Sequence, residues 1–241
     1  MAARAERQWH YAKATTDGGP RLVGVVDAIR RAIVLNELTP GSALTEMALA
    51  AAHSCSQGTV REALLRLQEE GLVVRAGYRG TLVSALDADE AALMLAVRKQ
   101  LECEAVKRLP FEDNSALVAE LTEHLDGMLM AARSADIYAL IRHDTAFHLA
   151  LFRAAQLPAL EPILRRANIH THRFKLWAPH HQRPLPATAE RHRPLIDAVR
   201  HGDRKALEHE LVRHLDTIVE PWPDRPRGDG PTLLPIKEKK R

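Results

Sequence analysis

The chain has 241 residues, enough for two modest domains with separate cores, and no apolar run approaches the ~20 residues that span a bilayer. Aromatics make up only 4% while alanine and leucine abound, which favours helix packing over sheet. Net charge is +3, of which residues 1–86 carry +2, residues 221–241 carry +3 and the middle −2. Any contact with nucleic acid therefore depends on where Arg30, Arg31, Arg61, Arg66, Arg75 and Arg79 sit, not on bulk charge.

Residues 1–20 are polar, end in Asp17-Gly18-Gly19-Pro20, lack a signal-peptide core and are expected to form a disordered arm. A first helix is expected over 21–35, with Val25, Ile29, Ala32 and Ile33 inward. Thr39-Pro40-Gly41 turns the chain. Thr45 then has the position of an N-cap for a short helix over 46–53, with Met47, Leu49 and Ala50 as apolar positions. After the break Ser54-Cys55-Ser56, Ser56 caps a second helix carrying Val60, Ala63, Leu64 and Leu67 at helical spacing, and Gly71 ends it. Leu72-Val73-Val74 and Thr81-Leu82-Val83 flank Ala76-Gly77-Tyr78-Arg79-Gly80, a hairpin signal.

Two short helices followed by such a hairpin form a winged helix-turn-helix over 21–86. A helix that enters the major groove needs small polar residues at its start, and Ser56, Gln57, Gly58 and Thr59 supply them. Arg61 lies one turn further on, within reach of phosphate or guanine. Tyr78, Arg79 and Gly80 place a cation and a flexible backbone at an exposed tip. The expected DNA-contacting set is Thr45, Ser56, Gln57, Thr59, Arg61, Tyr78, Arg79 and Gly80. A plain helical hairpin with a structural wing is the bland alternative, and the basic tip argues against it.

Leu86-Asp87-Ala88-Asp89 marks the domain junction, with Asp87 or Asp89 capping the next helix. Beyond it only helices are expected, near 88–109, 115–133, 136–155, 159–177, 188–201 and 203–219, so 87–220 reads as an all-helical bundle and the fold class as mainly α. The Pro- and Gly-bearing basic tail 221–241 has little to bury and is expected to be disordered. Cys55 and Cys103 fall in different units, and Cys55 reads as a small hydrophobe.

The helical half places ionisable residues where apolar ones belong. Within the stripe Ile137, Leu140, Ile141, Phe147, Leu151 lie Asp144 and His148, four residues apart and on one face. His192 precedes the stripe Leu195, Ile196, Val199, and His214 joins Leu207, Leu211, Leu215, Ile218. Burying four such groups costs several kcal/mol unless they share a partner. A divalent ion satisfies one carboxylate and three imidazoles together, with zinc the first choice and nickel or manganese as alternatives. A single histidine on an apolar stripe is usually an ordinary core residue; three helices pointing such groups inward is the stronger signal. His170, His172, His180 and His181 are a rival ligand source, whereas His124, His143, His201 and His209 lie off their stripes and are expected to face solvent. Arg98 and Glu102, also four apart beside Leu95, Leu101 and Ala105, suit a buried carboxylate ligand or a plain intrahelical ion pair.

These motifs resemble the GntR superfamily of bacterial transcription regulators, in the FadR-like branch with an FCD ligand-binding domain. The resemblance covers about 21–220. It rests on Thr39-Pro40-Gly41 with Leu44, on Thr59-Val60-Arg61-Glu62-Ala63-Leu64 with Leu67 and Glu70-Gly71-Leu72, and on Arg79-Gly80. In the second half it rests on Arg98-x-x-x-Glu102, Asp144-x-x-Phe147-His148, His192 ahead of Gly202-Asp203, and His214-Leu215. The resemblance implies a cytoplasmic homodimer on a near-palindromic operator, acting as a repressor. It also implies a small carboxylate effector held by Arg98 and Glu102 beside a metal at Asp144, His148, His192 and His214. The chain departs from the family's usual Val-Ser-Arg-Thr-Pro, reading Cys55-Ser56-Gln57-Gly58-Thr59, which removes a basic contact at Gln57; Met47 likewise replaces a position that is often polar. Two other functions compete: a direct metal sensor, and a metalloenzyme whose winged helix only tethers it. The second lacks a His-Glu-x-x-His pattern and an obvious general base.

Overall fold

The computed structural model describes residues 20–177 and 183–218, and the chain divides into two units between Ala85 and Leu86. The expected terminal arm and tail, and His180 and His181, lie outside the described residues.

In the first unit, α1 (Pro20–Val34) buries Val25, Val26, Ile29, Ala32 and Ile33, a stripe of helical period. It packs on α3 (Gln57–Glu69), whose own stripe is Val60, Ala63, Leu64 and Leu67. Arg30 fixes the pair by a two-pronged ion pair, Nε and Nη2 donating to Glu70 at 2.8 and 2.7 Å. Between them α2 (Glu46–Ala52) starts at Thr45, whose hydroxyl accepts from the Ala48 amide. Ser56 starts α3, accepting from the Thr59 amide at 3.1 Å. Gly71, at φ +73, ends α3 in the left-handed region that glycine enters without strain.

The wing is an antiparallel sheet in the order β1 (Ala43–Leu44), β3 (Thr81–Val83), β2 (Val73–Arg75), with Val73 opposite Val83 and Leu44 opposite Thr81. A single 3-10 turn, Gly77–Arg79, forms the tip. β1 is absent from the sequence reading. Its two residues carry no alternation, and it exists only because β3 offers an edge to pair with. Met47, expected among the apolar positions of α2, is 71% exposed.

The described part of the second unit is entirely helical. It comprises α4 (Ala88–Val106), α5 (Ser115–Arg133), α6 (Ile137–Arg153), α7 (Glu161–Trp177), α8 (Leu185–Glu190), α9 (Arg193–Arg200) and α10 (Arg204–Asp216). Carboxylate caps set three starts: Asp87, Asp136 and Asp203 accept from the amides of Glu90, Ala139 and Ala206. The α5–α6 hairpin supplies Leu121, Leu125, Met128, Leu140, Phe147 and Leu151 to the core. Leu195, Val199, Leu207 and Leu211 close it from α9 and α10. None of the described helices is long and apolar enough to cross a membrane.

Two expectations need correction. The single helix expected over 188–201 is two helices, because Pro194 has no amide hydrogen to donate and restricts Arg193 before it. The chain breaks after α8 and restarts with Pro194 in the first turn of α9, which leaves His192 as the N-cap instead of a mid-helix residue. His124 and His143, expected to face solvent, are half-buried, with ring centroids 5.9 Å apart; His143 lies over Gly127, where a Cβ would collide with the ring. His201 and His209 are exposed.

Candidate functional site

Four buried ligand groups converge in the second unit. Asp144 and His148 leave one face of α6, His192 comes from the α8–α9 break and His214 from α10, and their nearest ligand atoms all lie within 4.8 Å of one another. All are at most 6% exposed. The three imidazoles form a cage, with centroid separations of 5.5 Å for His148–His192, 5.1 Å for His148–His214 and 4.5 Å for His192–His214. Phe147 walls it, its ring edge-on to His192 at 4.8 Å.

The outer hydrogen bonds decide what this cage presents. Glu102, on α4, lies 2.5 Å from His148 Nδ1, so that nitrogen carries the proton and Nε2 keeps its lone pair. His192 Nδ1 likewise donates to the Ala189 carbonyl at 3.0 Å, which leaves its Nε2 an acceptor as well. That Nε2 is 3.2 Å from Asp144 Oδ1 yet makes no hydrogen bond. The inward atoms His148 Nε2, His192 Nε2 and His214 Nδ1 are all buried without a partner. Lone pairs facing a carboxylate at contact distance repel one another unless a cation sits among them. The donor set, one carboxylate oxygen and three imidazole nitrogens, suits a divalent ion of intermediate softness.

The titration behaviour agrees with that arrangement. Burial, reinforced by His192 and His148, holds His214 well below the ordinary imidazole range. Burial also lowers His148 against the opposing pull of Glu102. For Asp144 burial opposes ionisation, but the charge and hydrogen bond of His172 outweigh it and hold the carboxyl well below its usual range. Neutral imidazoles around an ionised carboxylate are the protonation states that metal ligation requires.

Three further residues frame the cage. His172 on α7 donates from Nε2 to Asp144 Oδ2 at 2.9 Å. It belongs to the rival ligand cluster of the sequence, and here it orients the carboxylate from α7, the helix that also buries His170. Glu102, which the resemblance assigns to the effector, has both oxygens engaged within the unit. One of its oxygens is taken by His148 and the other by Arg98 Nε at 2.6 Å, so it holds two neighbours in place. Arg98 is fully buried, and its Nη1 and Nη2 have no hydrogen-bond partner among the described residues. A small cleft beside Asp144, His172, His192 and His214 is also lined by Lys175, Thr188 and Arg191, which sequence reasoning missed. The spacing His172-x-x-Lys175 on α7 was the available signal.

In the first unit the polar start of α3 is presented to solvent. Gln57, Gly58 and Arg61 are exposed and Thr59 is half-buried, its hydroxyl 3.0 Å from Ser56 Oγ. Thr45 and Ser56 are exposed, with their hydroxyls engaged as caps. Arg61 is gripped by Glu46 of α2, Nε to Oε1 at 3.1 Å and Nη2 to Oε2 at 2.6 Å, which orients the guanidinium alongside the helix. At the wing Tyr78 is 99% exposed and Arg79 is exposed beside it, while Gly80 adopts φ +74, a conformation side-chain-bearing residues rarely take.

A winged helix-turn-helix with a polar recognition helix, followed by a helical unit built round a buried polar cage, is the architecture of a DNA-binding regulator. Residues 23–83 match the family described as bacterial regulatory proteins, gntR family, and residues 93–217 match the FCD domain. The chain belongs to the GntR family of transcription regulators, in the group that carries an FCD domain. It is 29% identical to an HTH-type transcriptional regulator in an unstable DNA locus of Streptomyces ambofaciens, a match covering 92% of each chain. It is 30% identical to a "Probable D-xylose utilization operon transcriptional repressor" of Paenarthrobacter nicotinovorans, over 79% of this chain and 84% of that one. Its fold is similar to that of E. coli McbR/YncC, with a TM-score of 0.67 at 22% identity, covering 83% of this chain and 95% of that one. Both relatives are described as transcriptional regulators, which favours the regulator over the metalloenzyme alternative.

The Arg98–Glu102–His148 chain leads to a stability expectation. Glu102→Ala leaves the buried Arg98 charge uncompensated, so unfolding stability should fall by about 3–5 kcal/mol in denaturant titration. Glu104→Ala, which removes an exposed carboxylate from the same helix, should change little. Equal, small losses for both variants would contradict the buried role of Glu102.

Proposed function

We propose that this regulator is a ligand-responsive repressor that binds a near-palindromic operator as a homodimer. In this reading a small carboxylate metabolite modulates DNA binding at a metal-containing pocket. Residues 21–86 form the DNA-binding domain and 87–220 the effector and dimerisation domain. Asp144, His148, His192 and His214 hold the ion, with zinc first and nickel or manganese as alternatives. The ion supplies positive charge and a coordination position for an acidic ligand.

The observation that carries this reading is the pair of unmet demands in one region. Unpartnered imidazole acceptors call for a cation, and the unpartnered Nη1 and Nη2 of Arg98 call for an anion. Arg98 acts electrostatically on His148 and His172, so both demands belong to the same electrostatic neighbourhood. A direct metal sensor needs only the first. The second favours an organic acid as the signal, with the metal as part of its binding site. A coupling of about 1–3 kcal/mol between effector and operator is typical of such switches.

On the DNA side, Ser56, Gln57, Thr59 and Arg61 meet the major groove, with Thr45 beside them on the supporting helix. Tyr78, Arg79 and Gly80 reach backbone or minor groove from the wing. Two recognition helices about one helical turn apart, ~34 Å, fit a symmetric operator. Glu46 already holds Arg61 extended, and exchanging that partner for DNA sets part of the affinity. Arg61→Ala should weaken operator binding by about 1–3 kcal/mol if the side chain reads a base. If it contacts phosphate, the salt slope should fall by about one. Anisotropy titrations at several salt concentrations separate these outcomes, and equal affinity for random and operator DNA contradicts the assignment.

The metal and effector assignments are tested together by His148→Ala combined with His192→Ala. Metal uptake, measured by mass spectrometry under native conditions, should be lost, and with it the effect of added carboxylic acids on operator binding. A double variant that still responds to the same acid with unchanged affinity removes the metal from the switch.

A further inference from the structure

Two arginines of the first unit are gripped by both oxygens of a carboxylate. Arg30–Glu70 is half-buried and ties α1 to the end of α3. Arg61–Glu46 is exposed, and it joins α3 to the first turn of α2 at the start of the helix-turn-helix. An exposed pair adds little to stability, and a carboxylate on a face turned to DNA repels the polyanion. Glu46 therefore stands where a DNA-binding surface has most reason to avoid a negative charge. Arg61, by hydrogen bond and charge, holds the Glu46 carboxyl below its ordinary range, and Arg75 of β2 pulls the same way, so the carboxylate is ionised at neutral pH.

The geometry of the pair gives that charge a use. A guanidinium has two edges that can each meet a pair of acceptors, a side edge formed by Nε with Nη2 and an end edge formed by Nη1 with Nη2. Glu46 fills the side edge, Oε1 accepting from Nε at 3.1 Å and Oε2 from Nη2 at 2.6 Å. Nη1 makes no hydrogen bond among the described residues, and the Arg61 side chain is 58% exposed, so the end edge is open to solvent. A phosphate gains little from this arrangement. On the side edge it has to displace Glu46, and on the end edge it meets a guanidinium whose charge Glu46 already balances. Guanine O6 and N7 are neutral acceptors spaced for one arginine edge, and they take the end edge without displacing anything. The exchange of Glu46 for DNA thus falls on phosphate contacts alone.

We propose that Glu46 is a specificity-determining residue of the DNA-binding unit. It fixes Arg61 with the end edge outward, commits it to reading one guanine in each half-site, and holds down its attraction for phosphate. This rests on the reading above that places Arg61 in the major groove.

The test uses the full chain and duplexes that it selects from a randomised pool. Anisotropy then compares the best selected duplex, the same duplex with A·T for G·C at one position of each half-site in turn, and a shuffled duplex. The parent chain should favour guanine at one such position by roughly five-fold to a hundred-fold, the range of one bidentate base contact. Arg61→Ala should erase that preference. Glu46→Gln should cut it by roughly three-fold or more, the coupling expected of two side chains in contact. It should also tighten the shuffled duplex by about three-fold to ten-fold and steepen its salt slope by about one. In the Arg61→Ala background, Glu46→Gln should leave the base preferences as they are. Glu62→Gln, which removes an exposed carboxylate beside Arg66 on α3, should tighten the shuffled duplex without lowering the guanine preference. A guanine preference that survives Glu46→Gln in full, one that Arg61→Ala leaves in place at every position, or equal losses in Glu46→Gln and Glu62→Gln each overturn the role of Glu46. A parent chain that selects no sequence from the pool overturns the DNA reading as well.

Discussion

The second unit is organised by a repulsion that its own residues do not relieve. His148 and His192 each spend one ring proton on an outer partner, Glu102 and the Ala189 carbonyl, and so turn bare nitrogens toward Asp144. His214 adds a third. Without a common cation this is a group of buried acceptors facing one another, several kcal/mol worse than an apolar core. With one, the same groups become a crosslink among α6, the α8–α9 break and α10. The outer contacts extend it further, because Glu102 and Arg98 belong to α4 and His172 to α7. An ion shared by these groups would fix the register of several helices together, so a ligand that altered its surroundings would act on all of them.

The first unit solves a different problem, that of presenting polar groups rigidly to solvent. Its devices are local: hydroxyl caps at Thr45 and Ser56, the Arg30–Glu70 clamp, and glycine in a left-handed conformation at the wing. The Glu46–Arg61 pair belongs with them. An exposed ion pair of this kind contributes little stability, so its consequence is conformational, holding a long side chain along the supporting helix. The replacement of a basic residue by Gln57 leaves more of the reading to Arg61 and to the wing.

Much of this was legible in sequence where the signal is local and periodic. Stripes of period 3.6 locate α1, α3, α6 and α10, and the capping residues Thr45, Ser56 and Asp87 locate the starts of α2, α3 and α4. Asp144, His148 and His214 stood out as polar residues inside apolar stripes, and they do share one cage. What escaped depends on contacts between elements. β1 needs β3 to exist at all. The break at Pro194 was overlooked because the stripe Leu195, Ile196, Val199 continues in phase with His192; the proline, not the stripe, decides where the helix begins. The two roles of Glu102 follow from His148 arriving from α6, and no pattern within α4 distinguishes an ion pair from a histidine partner. His172 reads from sequence as one of a rival ligand group with His170, His180 and His181, and only the packing of α7 brings it to Asp144.

If the buried acceptors at Asp144, His148, His192 and His214 hold one divalent ion, the purified chain should carry it. Mass spectrometry of the purified chain under native conditions addresses it most directly, combined with thermal unfolding before and after exhaustive chelation. One divalent ion per chain is expected, with a lower transition temperature when it is stripped and recovery of both on adding back zinc, nickel or manganese. A chain that carries no ion, takes up none, and unfolds at the same temperature with and without chelator would contradict it.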